Sequence, residues 1–124
     1  MRVLLVDDSA AFIAAARRLL EREGLRVVAT ATTGAEALEK ALEVSPDVSL
    51  VDIDLGGESG FDVVRSLYES ADGPFRTVLI SSHSLEDFAD LVAESAAAGF
   101  VSKSRLSAAA IREVLDGSSD TPHT

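Results

Sequence analysis

The chain has 124 residues, 47% of them hydrophobic, which suits one domain with its own buried core. Eleven Lys and Arg face 21 Asp and Glu, a formal charge of −10, so the chain is a poor nucleic-acid binder by itself, because that binding rests on cations that neutralise phosphates. Cysteine is absent, which excludes disulfides and thiolate metal sites, and the short apolar start and the lack of a long uncharged stretch argue against a signal peptide or a membrane span; a cytoplasmic protein is expected.

Short apolar runs alternate with helical patterns, the signature of βαβ units. Residues 2–7 read as the first strand, ending on Asp7 and Asp8. Ser9 can cap a helix with Phe12, Ile13, Ala16, Leu19 and Leu20 turned inward, and Gly24 ends it. Residues 25–30 form the second strand. Thr33 opens a second helix whose buried face is Leu38, Ala41 and Leu42, and Ser45-Pro46 closes it. Residues 48–53 are apolar up to Asp52, as in a central strand covered on both faces. A loop with Gly56, Gly57 and Gly60 leads to a third helix carrying Phe61, Val64, Leu67 and Tyr68. Asp72-Gly73-Pro74 is a turn, and residues 76–81 make the fourth strand, ending on Ser81. Ser84 with Asp87 resembles a capping box, opening a fourth helix that carries Leu85, Phe88, Val92 and Ala96. The fifth strand, 100–102, runs into Lys103. The last helix, near 106–116, places Ile111, Val114 and Leu115 on one side and ends at Gly117, before a polar tail over 118–124.

Right-handed crossovers turn this pattern into an α/β fold, a doubly wound five-stranded parallel sheet in the flavodoxin-like order 2-1-3-4-5, helices on both faces. The strand ends then meet at one carboxyl edge, where such sheets put their sites. Asp7, Asp8 and Asp52 would lie side by side, with Ser81 and Lys103 beyond them. This set suits Mg²⁺, which takes one or two carboxylates and completes its octahedron with waters and phosphate oxygens. Asp8 and Asp52 can bind directly, and Asp7 through a water. An aspartate is also a nucleophile for phosphoryl transfer. The ion, the Lys103 ammonium and the Ser81 hydroxyl can each cover one equatorial oxygen.

These residues carry a resemblance. Val6-Asp7-Asp8-Ser9, Asp47 to Leu55, Gly60 eight residues past Asp52, Ile80-Ser81-Ser82 and Gly99-Phe100-Val101-Ser102-Lys103 together resemble the receiver domain of two-component response regulators, over residues 1–116. The segments 80–84 and 99–104 look most like receivers of LuxR-type regulators. The resemblance implies that Asp52 accepts a phosphoryl group from a histidine kinase and that Asp7 and Asp8 hold Mg²⁺ with the Asp54 backbone carbonyl. It makes Ser81 the switch hydroxyl, Lys103 the phosphate-binding lysine and Phe100 the switch aromatic. Output would pass through the face of the fourth helix, fifth strand and fifth helix to an output domain or downstream protein, and a homodimer is possible. The domain would catalyse only its own phosphorylation and dephosphorylation. Two positions depart from the family: Gly56 replaces a usual proline and should loosen the acceptor loop, and Ser104 replaces a proline often cis. A trans 103–104 bond is therefore expected, with Lys103 less firmly aimed.

Other readings stay open. Phe100 can simply cover the sheet. His83 can be a solvated loop residue, although two places past Ser81 it can reach the phosphoryl site and tune hydrolysis. Asp52-Ile53-Asp54 also resembles the Asp-x-Asp of haloacid-dehalogenase-like phosphohydrolases, with Asp54 as general acid. A docking module that is never phosphorylated is a third function class.

Overall fold

Val3 and Leu5 turn to one side of a sheet and Leu4 and Val6 to the other, all fully buried, so this strand is covered on both faces. The structure is a computed structural model and describes residues 1–70 and 72–119. Among the described residues, five strands alternate with five helices: β1 Arg2–Val6, α1 Ala10–Arg22, β2 Arg26–Ala31, α2 Gly34–Val44, β3 Val48–Asp52, α3 Gly60–Tyr68, β4 Thr77–Ser81, α4 Ala89–Glu94, β5 Gly99–Ser102 and α5 Ala108–Ser119. The sheet is parallel, in the order β2-β1-β3-β4-β5. One core joins α1 and α5 to the sheet through Leu20, Leu50, Ile80 and Ile111. The other joins α2 and α3 to the opposite face through Ala37, Ala41, Val64, Leu67 and Leu79. Each large buried side chain contributes about 1.5–3 kcal/mol, and among the described residues no helix is long and apolar enough to cross a membrane.

The helix starts follow their caps. Ser9 Oγ accepts from Phe12 N–H at 3.2 Å, Thr33 Oγ1 from Glu36 N–H at 3.1 Å, and Ser59 Oγ from Phe61 N–H at 3.1 Å. Gly24, at φ +97°, takes the left-handed turn after α1. α2 closes at Ser45-Pro46 as expected, with Ser45 left-handed at φ 47°.

Several expectations need correction. β1 and β3 stop one residue early, at Val6 and Asp52, and β2 starts one late, at Arg26. Leu42 and Tyr68 are 44% and 52% exposed. The buried stripes are Ala37–Ala41 on α2 and Gly60, Val63, Val64 and Leu67 on α3, and the next residue along lies about 100° round the helix. The fourth helix is broken. Ser84 makes no side-chain cap; a 3₁₀ turn over Leu85–Asp87 precedes an α4 of six residues, with none of them buried. Leu85 is 45% exposed and Ala96 is also exposed, so neither belongs to a core face. Ser95 ends α4, its Oγ donating to Val92 carbonyl at 2.7 Å and accepting from Ala97 N–H at 3.2 Å, in competition with the next helical turn. β5 includes Gly99, and α5 begins later than expected and continues through Gly117 to Ser119. The rest of the polar tail lies outside the described residues.

Candidate functional site

Strand register assembles the site. Val6 pairs with Val51, so Asp7 and Asp52 follow side by side. Asp52 pairs with Ile80, just before Ser81, and Ser81 pairs with Ser102, just before Lys103. Because the strands are parallel, every one of these ends faces the same edge.

Asp7 is fully buried. Its Oδ1 accepts from Ser9 N–H at 2.8 Å, which holds the start of α1. Its Oδ2 lies 2.6 Å from Lys103 Nζ, an ion pair without hydrogen-bond geometry. Asp52, 6% exposed, accepts from Asp54 N–H at 3.1 Å on Oδ1 and from Lys103 Nζ at 3.0 Å on Oδ2. Burial pushes the Asp52 carboxyl above its ordinary pKa; the Asp54 amide and Lys103 oppose that rise, and the charge of Asp7 adds to it. Burial also works against the charge on Lys103, but its contacts and charge attraction with Asp7 and Asp52 outweigh burial and hold its pKa above the ordinary lysine value. The ammonium lies 4.3 Å from the centroid of the Phe12 ring, a cation–π contact.

Asp8 is exposed at the rim. Asp7, Asp8 and Asp52 each offer a carboxylate oxygen, all within 4.8 Å of one another. An all-oxygen set with one buried oxygen that takes no hydrogen bond, Asp7 Oδ2, fits a hard divalent cation. A cleft of 580 Å³ opens over this set, with Asp54, Ser59, Ser81, His83 and Phe88 in its wall.

Ser81 is buried at 5% exposure, and its Oγ accepts from His83 N–H at 3.0 Å. The Asp54 side chain is exposed and accepts from Gly56 N–H at 3.1 Å, while its own amide holds Asp52. His83 is exposed and stacks on Phe88, with ring centroids 6.0 Å apart and planes at 12°. Phe100 stands apart from the carboxylates. It packs, half buried, against the α2–α3 core and lines a groove with Leu85, Arg105 and Val114 between β5 and α5. The described peptide bonds include a cis bond at Gly73-Pro74 and none at 103–104, so the expected trans bond is present. The Lys103 ammonium meets two carboxylates and a ring.

Sequence reasoning assigned Phe12 and Phe88 only to helix faces and gave Glu58 no role, although all three line or support the site. The only sequence signal for Phe12 was its place in the first turn after Asp7-Asp8. Gly60 was read as a turn former; its deeper reason is a close approach, because a Cβ there would stand 2.8 Å from the Asp52 carbonyl carbon and from Ile53 Cα.

The model of the response regulator receiver domain matches residues 3–116. A protein-glutamate methylesterase/protein-glutamine glutaminase of Myxococcus xanthus is 47% identical over 83 residues, covering 66% of this chain and 24% of its own. A LuxR-family two-component response regulator from Aurantimonas superposes with a TM-score of 0.82 at 33% identity, covering 94% of this chain and 85% of that one. The signal receiver domain of the NarL response regulator of Mycobacterium tuberculosis gives 0.79 at 32% identity, with 96% of each chain covered. The chain spans between 23% and 50% of the length of the curated relatives it matches. On a match over nearly its whole length, the chain belongs to the response regulator receiver domain family.

Proposed function

We propose that the domain, over residues 1–116, is a phosphorylation switch in which Asp52 accepts a phosphoryl group from a histidine kinase. The observation that supports this best is the surroundings of Asp52: a near-buried carboxylate below an open cleft, 3.0 Å from an ammonium, with two further carboxylates in reach and a hydroxyl in the wall. In the transfer, an Asp52 oxygen attacks phosphorus, the donor's P–N bond breaks, and the imidazole leaves with the electron pair and takes a proton from solvent. Asp7, Asp8, Asp52 and the Asp54 carbonyl would hold Mg²⁺, which supplies positive charge to the phosphoryl oxygens. Lys103 neutralises a second oxygen, and Ser81 Oγ donates a hydrogen bond to a third. Asp54 and His83, in the same cleft wall, would tune hydrolysis of the acyl phosphate by controlling the approach of water. Output through the face of α4, β5 and α5, where Phe100 lies, would reach a further domain, a separate protein or a second copy.

The test is intact mass after treatment with acetyl phosphate and Mg²⁺. A gain of one phosphoryl group in the wild type and none in Asp52→Ala is expected. Modification that persists in Asp52→Ala refutes the assignment. Steady turnover of a phosphate ester lost in Asp54→Asn would instead favour a phosphohydrolase. A surface change on binding a partner that is independent of Asp52 would favour docking alone.

A further inference from the structure

The loop between β3 and α3 is built for movement and then tied down. Gly56 and Gly57 are left-handed, at φ +60° and +98°. The loop is closed at its base by Leu55 N–H donating to the Glu58 carbonyl at 2.9 Å and by a bridge between Asp54 and Ser59. It also reaches outside itself: Glu58 Oε1 accepts from Gly34 N–H at 2.8 Å. Gly34 is the first residue of α2, where amides lack helical partners and a carboxylate is favoured. The α2 cap leaves this amide free for Glu58. Thr33 takes the Glu36 N–H, and Glu36 takes the Thr32 N–H at 2.7 Å. The fit is close: a Cβ on Gly34 would stand 2.8 Å from Val63 Cγ2 and would collide with Glu58 Oε2, so these side chains would have to shift.

The tied loop also walls the acidic cleft. Asp54, Gly57, Glu58 and Ser59 line it. Gly56 faces Asp8, and a Cβ there would stand 2.7 Å from Oδ2. We infer that Glu58 is a positioning residue for the divalent cation: by bonding the first turn of α2 it fixes the Asp54–Ser59 loop against Asp8. This rests on the reading of the cleft as a Mg²⁺ site. Without the tie, the two glycines let the loop spread over many conformations, and cation binding must then meet the cost of ordering it. The tie also holds a fourth carboxylate against a helix N-terminus instead of loose above the other three.

Calorimetric Mg²⁺ titration of the unphosphorylated protein tests this, with hydrogen exchange at Gly34 as a second readout. Glu58→Ala is expected to weaken Mg²⁺ binding about fivefold and to speed exchange at Gly34. Gly34→Ala, which pushes the Glu58 carboxylate away while leaving the loop's own sequence unchanged, is expected to weaken binding similarly. Glu58→Gln keeps a carbonyl acceptor and is expected to stay within about twofold of wild type. Wild-type affinity in both Glu58→Ala and Gly34→Ala overturns the inference while leaving the Mg²⁺ reading intact. So does a loss in Glu58→Gln as large as in Glu58→Ala, since charge alone would then explain the effect. A wild type with no Mg²⁺ uptake that depends on Asp8 overturns both.

Discussion

Lys103→Met removes the cation that joins Asp7 to Asp52 while keeping an unbranched side chain to lie against Phe12. Breaking a buried ion pair by deleting one partner costs about 3–5 kcal/mol, because the remaining charge is left uncompensated. Lys103 keeps 18% of its side chain exposed, so solvent screens part of the loss and about 2–3 kcal/mol is expected at pH 7 without metal. That corresponds to a drop of roughly 8–12 °C in Tm.

The sign of the pH dependence is fixed by the same geometry. In the wild type the folded Asp52 carboxyl already has a raised pKa, so its folded form binds a proton more tightly than the unfolded chain. Its contribution falls as pH rises from the ordinary value of 3.8 through the raised one. Without Lys103 an influence that lowers this pKa is gone, and the window moves toward neutrality. The penalty of Lys103→Met should therefore be smaller at pH 5 than at pH 7, as Asp52 takes up a proton in place of the lost cation. Urea unfolding of both proteins at the two pH values measures it. A loss below about 0.5 kcal/mol at pH 7, or one that grows on acidification, would refute the argument that this lysine compensates buried charge.

Asp8 lies in the cluster without the direct Lys103 contact that Asp7 and Asp52 have; millimolar Mg²⁺ should raise the Tm of the wild type, and Asp8→Asn should raise the Tm of the metal-free protein slightly and abolish that response, as a thermal melt with and without the ion would show. Gly60→Ala should cost about 2–3 kcal/mol in urea unfolding, because the new methyl meets backbone at Asp52 and Ile53 that cannot step aside. Ser49 Oγ and Thr77 Oγ1 are buried without hydrogen-bond partners on paired positions of β3 and β4; Ser49→Ala with Thr77→Val should stabilise the fold by about 1–2 kcal/mol, and a lower urea midpoint would show that the hydroxyls are satisfied in solution.

The strand ends were readable because a strand covered on both faces is a largely apolar run, and a charged or hydroxyl residue at its carboxyl end marks where the run stops. In a parallel sheet that stop is also the site, so Asp7, Asp52, Ser81 and Lys103 could be placed together from sequence. Helix faces were less readable. Leu42 and Tyr68 are apolar but sit one residue beyond the buried stripe, and apolar character alone does not reveal which edge of a stripe the sheet covers. The fourth helix was misread because Ser84 and Asp87 have cap spacing, whereas Ser95 has an effect visible only once its hydroxyl bonds Val92. The surroundings of Lys103 had no local signal either: the Phe12 ring that meets its ammonium lies far away in sequence on α1. The Glu58–Gly34 tie crosses 24 residues and likewise has no local signature.

The position of Ser81 sets how a phosphoryl group on Asp52 could be felt elsewhere. Its hydroxyl now accepts from His83 N–H, and a hydroxyl can keep accepting that bond while it donates its own proton to a phosphoryl oxygen. Donation therefore need not break the link, and movement of Ser81 Oγ toward the cleft would pull the His83 backbone with it. His83 stacks on Phe88, which begins α4 and packs against the α2–α3 core. Between Ser82 and Ala96 no residue is buried, so reshaping this segment sacrifices little packed apolar surface. A small pull on a buried serine would thus act on a segment with no buried residue, with Phe88 and Val92 as places where the motion meets the core.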